Sequence, residues 1–111
     1  MKLLNAFSFI NSNKREDDNT KYYLNRINHG VFRDCINLSN TELPESIESI
    51  GNAAFYNCTS LPNIILPENI ESIGDSAFSR CEKLSSLNLP ESLQEIGSNA
   101  LYNNCIKGID Y

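Results

Sequence analysis

The sequence predicts a repeat solenoid: a right-handed stack of coils, each built from short β-strands joined by turns, 3₁₀ turns or short helical segments. Three observations predict it. Ile27, Ile50, Ile73 and Ile96 follow one another at a constant 23-residue interval. The same interval separates Phe32, Phe55, Phe78 and Leu101, as well as Cys35, Cys58 and Cys81. Copies 27–49 and 50–72 are identical at 11 of 23 positions without a gap. A fixed period of this length marks a stack of supersecondary units, because one coil cannot bury its apolar side without a neighbour.

Each unit divides into three pieces. Leu84-x-x-Leu87-x-Leu89 ends in period-2 alternation and reads as a short strand. Pro90-Glu91-Ser92 is a turn, since proline fixes φ and lacks the N–H that a continuing ladder needs. Leu93-x-x-Ile96-Gly97 is a second extended segment ended by glycine. Asp75-Ser76-Ala77-Phe78 then reads as a capped helical or 3₁₀ turn, with Asp75 at the cap and Phe78 pointing inward. Stacked coils place equivalent residues about 4.8 Å apart. Isoleucine, phenylalanine, cysteine and leucine ladders then fill the interior. In this register Phe55 and Phe78 are buried, while Tyr56 and Ser79 are largely exposed.

Composition narrows the function. The chain has 111 residues, 41% of them apolar, and none of its apolar runs approaches the ~20 residues that span a bilayer. A net charge of −5 with nine basic residues argues against nucleic acid, which needs clustered cations to neutralise phosphates. The start, from Met1 to Ile10, has one lysine, an apolar stretch broken by Asn5, and no small-x-small cleavage site. It reads as a strand or cap rather than a secretion signal, and the compartment, cytoplasm or cell surface, stays open.

The motif Ile-Gly-x-x-Ala-Phe-x-x-Cys-x-x-Leu-x-x-Ile-x-Leu-Pro-x-Ser-Leu resembles the BspA-like class of leucine-rich repeat. Copies 50–72 and 73–95 follow it at nearly every position, as in Ile73-Gly74-Asp75-Ser76-Ala77-Phe78-Ser79-Arg80-Cys81. Copy 27–49 departs at Asn28, in place of Gly, and Val31, in place of Ala. The resemblance implies a right-handed leucine-rich-repeat solenoid. It also implies a binding role, since some members are adhesins at bacterial or protozoan surfaces, but it names no ligand.

The ends are less regular. Residues 1–26 are expected to form an N-terminal cap or a degenerate repeat, with residues 11–20 as a polar loop. Leu4-x-x-Phe7-x-Phe9 fits either a first strand or a terminal helix, and Leu24-x-x-Ile27 matches the second extended segment. The repeats then run 27–49, 50–72, 73–95 and a truncated 96–111. In the last, Ile106-x-x-Ile109-x-Tyr111 fits the strand motif after one deletion near 103–105. Ile106, Ile109 and Tyr111 are therefore expected at an unpaired edge, through which a homo-oligomer could form.

Candidate chemistry is sparse. Cys35, Cys58, Cys81 and Cys105 form no CxxC pair, and no histidine stands at a zinc-ligand spacing. They read as a buried ladder of unpaired thiols, which leans towards a reducing compartment. His29, the sole histidine, occupies the turn position where other copies carry Asn52, Asp75 and Ser98. Gly51, Gly74 and Gly97 recur with the period and are assigned to turns. No cofactor, metal or catalytic residue is expected.

Two surfaces stand out as partner sites. Glu45, Glu68 and Glu91 stack at one position, and Glu48, Glu71 and Gln94 at another, with Glu95 alongside. The stripe serves either as a receiver for a basic partner or as a solvated face. The outward strand positions are Asn40 and Glu42, Asn63 and Ile65, and Ser86 and Asn88. They vary between copies, and Ile65 is the one apolar residue among them. Asn37-Leu38-Ser39 and Asn57-Cys58-Thr59 are glycosylation sequons, relevant only to a secreted eukaryotic chain. The expected function is a non-catalytic module that binds a protein partner through a solenoid face, as an adhesin or scaffold does. The alternative is a structural subunit, or part of a longer solenoid, whose ends make the contacts.

Overall fold

Residues 25–39 and 41–105 are described by the structure, a computed structural model. Among the described residues there are six two-residue strands: β1 (Arg26–Ile27), β2 (Ser49–Ile50), β3 (Asn63–Ile64), β4 (Ser72–Ile73), β5 (Ser86–Leu87) and β6 (Glu95–Ile96). All pairings are parallel, and they make two sheets: a four-stranded one in the order β1-β2-β4-β6 and a two-stranded one of β3 and β5. Glu42 extends the smaller sheet by a bridge to Ile65. Residues pair in step with the repeat, so Ile27, Ile50, Ile73 and Ile96 form one column and Arg26, Ser49, Ser72 and Glu95 the column beside it.

The interior follows the repeat. Phe32, Phe55 and Phe78 are buried and stack, with centroids 5.3 Å apart for the first pair and 5.2 Å for the second. Around them pack Ile27, Ile50 and Ile73, Leu38, Leu61 and Leu84, and Leu43, Leu66, Ile47 and Ile70. Leu87, Leu89, Leu93 and Ile96 are half-buried, whereas their equivalents one coil earlier are buried.

The segment after each isoleucine departs from expectation. It is a run of turns, and no helix occurs among the described residues. The N–H groups of Ala77, Ser79 and Cys81 close turns onto Gly74, Ser76 and Phe78 within their own coil. Those of Ser76, Phe78 and Arg80 donate to the carbonyls of Ser98, Ala100 and Tyr102 in the next coil, at 2.8–2.9 Å. A helix would keep all of these donors within one coil and leave the coils unlinked. Left-handed residues at two columns accompany the alternation: Gly30, Ala53, Ser76 and Asn99, and then Asp34, Asn57, Arg80 and Asn103, with φ between 55° and 64°. Such a φ costs a non-glycine residue about 1–2 kcal/mol. The inter-coil hydrogen bonds, worth about 0.5–1.5 kcal/mol each, offset that cost.

Asp75 accordingly caps no helix. Its Oδ1 accepts the Ser98 N–H at 2.9 Å, Asn52 Oδ1 accepts the Asp75 N–H at 2.8 Å, and His29 Nδ1 accepts the Asn52 N–H at 2.9 Å. Each polar turn residue thus holds the coil that follows it. The glycines also differ from the turn reading. A Cβ on Gly74 would lie 2.5 Å from Asn52 Oδ1 and 2.6 Å from its nitrogen, and one on Gly51 would lie 2.7 Å from the His29 nitrogen. Glycine stands there because adjacent backbones approach too closely for a side chain, and it carries no left-handed φ.

Two exposure expectations are corrected. Ser79 is buried at 4% exposure, and Tyr56 is half-buried. Serine is small, and one coil to either side its column holds Tyr56 and Tyr102. Tyr56 is in turn covered by Arg33, whose guanidinium carbon lies 4.6 Å from the ring centroid. The expected first strand at Leu4–Phe9, the loop 11–20, Leu24 and the terminal strand at Ile106, Ile109 and Tyr111 lie outside the described residues.

Candidate binding faces

The cysteine column is less uniform than the sequence suggests. All four thiols are free, but only Cys58 and Cys81 are buried; Cys35 is half-buried and Cys105 exposed. The Cys58 thiol donates to the Phe32 carbonyl at 3.2 Å, and that of Cys81 to the Phe55 carbonyl at 3.1 Å. Burial pushes the Cys81 thiol up to about 11, and that of Cys58 further still. Such thiols are structural and poor nucleophiles. No group of histidine, cysteine and carboxylate side chains among the described residues is placed to hold a metal ion.

The partner-site residues separate into two sets. Glu48, Glu71 and Gln94 lead into the four-stranded sheet, and their backbones are joined by hydrogen bonds from Glu71 N–H to Glu48 O (2.7 Å) and Gln94 N–H to Glu71 O (2.8 Å). All three are exposed, and the carboxylates of Glu48 and Glu71 stand in one column, where like charges repel. Glu42, Ile65 and Asn88 form an exposed column of the smaller sheet, and Ile65 is 70% exposed. The turns carrying Glu45, Glu68 and Glu91 lie between the sets and are also exposed. Asn40 lies outside the described residues.

Each sheet carries a shallow groove. On the smaller sheet, about 550 Å³ is lined by Asn63, Ile64, Ile65, Leu66, Ser86, Leu87 and Asn88. On the four-stranded sheet, about 590 Å³ crosses four coils over a floor of Gly51, Gly74 and Gly97. Arg26 and His29 stand at one end, Glu95 and Gln94 at the other, and Ser49, Asn52, Ser72 and Asp75 between them. Sequence reasoning found the Glu48 and Glu71 stripe but missed Arg26 and the serines as a surface. The 23-residue interval already sets Arg26, Ser49, Ser72 and Glu95 in one column, and the strand pairing of Arg26 with Ser49, Ser49 with Ser72 and Ser72 with Glu95 places that column on the sheet.

Parallel strands recurring once per coil, closed by inter-coil hydrogen bonds over a phenylalanine ladder, define a leucine-rich-repeat solenoid. The chain belongs to the family of BspA type leucine rich repeat regions, whose model matches residues 2–111 in 6 copies. It is similar to a leucine-rich repeat protein of Bacteroides ovatus at 31% identity and TM-score 0.76, over 85% of this chain and 24% of the other. One from Bacteroides capillosus is 28% identical with TM-score 0.73, over 85% and 68%. The T. pallidum leucine-rich repeat protein is 26% identical with TM-score 0.65, over 81% and 51%. The chain thus spans about a quarter of the Bacteroides ovatus protein and half of the T. pallidum one. No curated protein matches it. Leucine-rich repeats of this kind are generally protein-interaction modules.

Proposed function

We propose that the chain is a non-catalytic module, adhesin-like or scaffolding, that binds a protein partner through the face of its four-stranded sheet. The carrying observation is the groove across β1, β2, β4 and β6, the longest continuous ladder among the described residues. Solenoids recognise partners along such extended faces because stacking fixes the scaffold while outward side chains vary freely. Gln94 lines this groove, and the exposed Glu48 and Glu71, which precede its Ser49 and Ser72 in the chain, draw a partner with basic groups opposite them. Glu42, Ile65 and Asn88 lie across the acidic turns and supply a second contact line, with Ile65 as its apolar anchor.

The test compares capture of proteins from the chain's own setting by the parent, by Glu48→Gln/Glu71→Gln and by Ile65→Arg. Partners held by the parent and released by the double variant, with melting unchanged, support the reading. Equal capture by parent and double variant, or no capture by the parent, overturns it.

A further inference from the structure

The outward column of the four-stranded sheet reads Arg26, Ser49, Ser72, Glu95, one residue per coil in fixed register. Among the described residues it carries a cation at Arg26, hydroxyls at Ser49 and Ser72, and a carboxylate at Glu95. Among the described residues neither Arg26 nor Glu95 is ion-paired; the ion pair present joins Arg33 and Asp34. The neighbouring column differs, because His29, Asn52 and Asp75 each spend an acceptor on the coil that follows. Gly51, Gly74 and Gly97 line the groove beside this column.

The geometry points to an extended peptide segment as the ligand, laid along the solenoid axis with a carboxylate over Arg26 and a cationic side chain over Glu95. This rests on the four-stranded face being the binding face. Three strand spacings of about 4.8 Å put the column's ends roughly 14 Å apart. An extended chain advances about 3.3 Å per residue, so the two ligand charges stand about four residues apart. Asp75 on the groove wall, and Glu48 and Glu71, which precede its Ser49 and Ser72 in the chain, add negative charge beyond the Arg26 end. They favour the cationic part of the ligand and make Arg26 the place where an acidic group can be held. The serines and Asn52 offer hydroxyl and amide hydrogen bonds to the peptide backbone between the charges.

The experiment titrates the protein with blocked, fluorescent five-residue peptides of sequence X-Ser-Ser-Ser-Z, read by anisotropy at low salt. The pair Glu/Lys should bind roughly threefold to tenfold tighter than Gln/Gln or Glu/Glu, the range expected of two exposed ion pairs. It should also bind tighter than a Glu-Ser-Lys peptide, whose charges are too close. Arg26→Glu should lose this preference and favour Lys/Lys instead. Both ends are exposed, so the variant should fold, and an unchanged melting curve verifies it. Equal binding of all peptides, no binding at millimolar concentration, or an Arg26→Glu protein that keeps the parent's preference would overturn the proposal. Release of partners by Glu48→Gln/Glu71→Gln would still stand in that case, so the two readings fail separately.

Discussion

The phenyl rings of Phe55 and Phe78 lie 5.2 Å apart, centroid to centroid, with planes 3° from parallel. Both side chains are fully buried, and each belongs to a different coil. Phe78→Ala therefore removes contacts to the coils on either side as well as its own. The expected loss is about 3–5 kcal/mol, a large part of the roughly 5–15 kcal/mol typical of a domain. Urea unfolding measures it, and a midpoint close to the parent's would contradict the stacked column.

Thiol reactivity should grade along the cysteine column. Cys105 should react with an aromatic disulfide reagent at once, Cys35 more slowly, and Cys58 and Cys81 only after denaturation. Burial raises the Cys35, Cys58 and Cys81 thiols above the ordinary value of 9.0, that of Cys81 to about 11. The unfolded chain therefore releases these protons at lower pH than the folded one. Their contribution to stability is complete below about pH 9 and is lost as pH rises towards 11. Stability that is flat across that window, or that rises, would refute the linkage.

Thr41 occupies the inward column where later coils place Ile64 and Leu87. It is 8% exposed, and its hydroxyl has no hydrogen-bond partner among the described residues. Thr41→Val keeps the shape and removes the unsatisfied group. A stabilisation of about 1 kcal/mol is expected, seen as a higher melting temperature. A lower one would mean the hydroxyl is bonded after all.

Gly74→Ala should be damaging for a reason unrelated to backbone freedom. Its Cβ would press on Asn52 Oδ1 and Gly51, and Asn52 Oδ1 accepts the Asp75 N–H. The expected cost is about 1–3 kcal/mol, with amide exchange accelerating first at Asp75. Gly30→Ala meets no atom within 4 Å and strains only a φ of 64°. It should leave exchange at Asp75 unchanged, and equal acceleration in both variants would contradict the close-approach account.

How much of this could be read from the residues follows from the symmetry of a stack. In a solenoid, each side chain's closest partners are the same position one coil away. The evenly spaced recurrence of Ile27, Phe32, Leu38 and Leu43 therefore states both the period and the interior columns, because only stacking makes that recurrence useful. The exposed column of Glu48, Glu71 and Gln94 was legible in the same way. What recurrence does not encode is the destination of a hydrogen bond or the sign of φ. Asp75-Ser76-Ala77-Phe78 suits a capped helical turn locally. It becomes a run of turns because Ser76, Phe78 and Arg80 donate N–H to the carbonyls of Ser98, Ala100 and Tyr102, one coil on, which no local pattern displays. Ser79 is buried, although serine at a turn usually meets water. The line from Arg26 to Glu95 keeps the same 23-residue interval, but its residue types differ from coil to coil, so the period gives its position and not its role. Period and core were thus determined by the sequence itself. The course of the turns and the exceptions to burial were decided by contacts between coils.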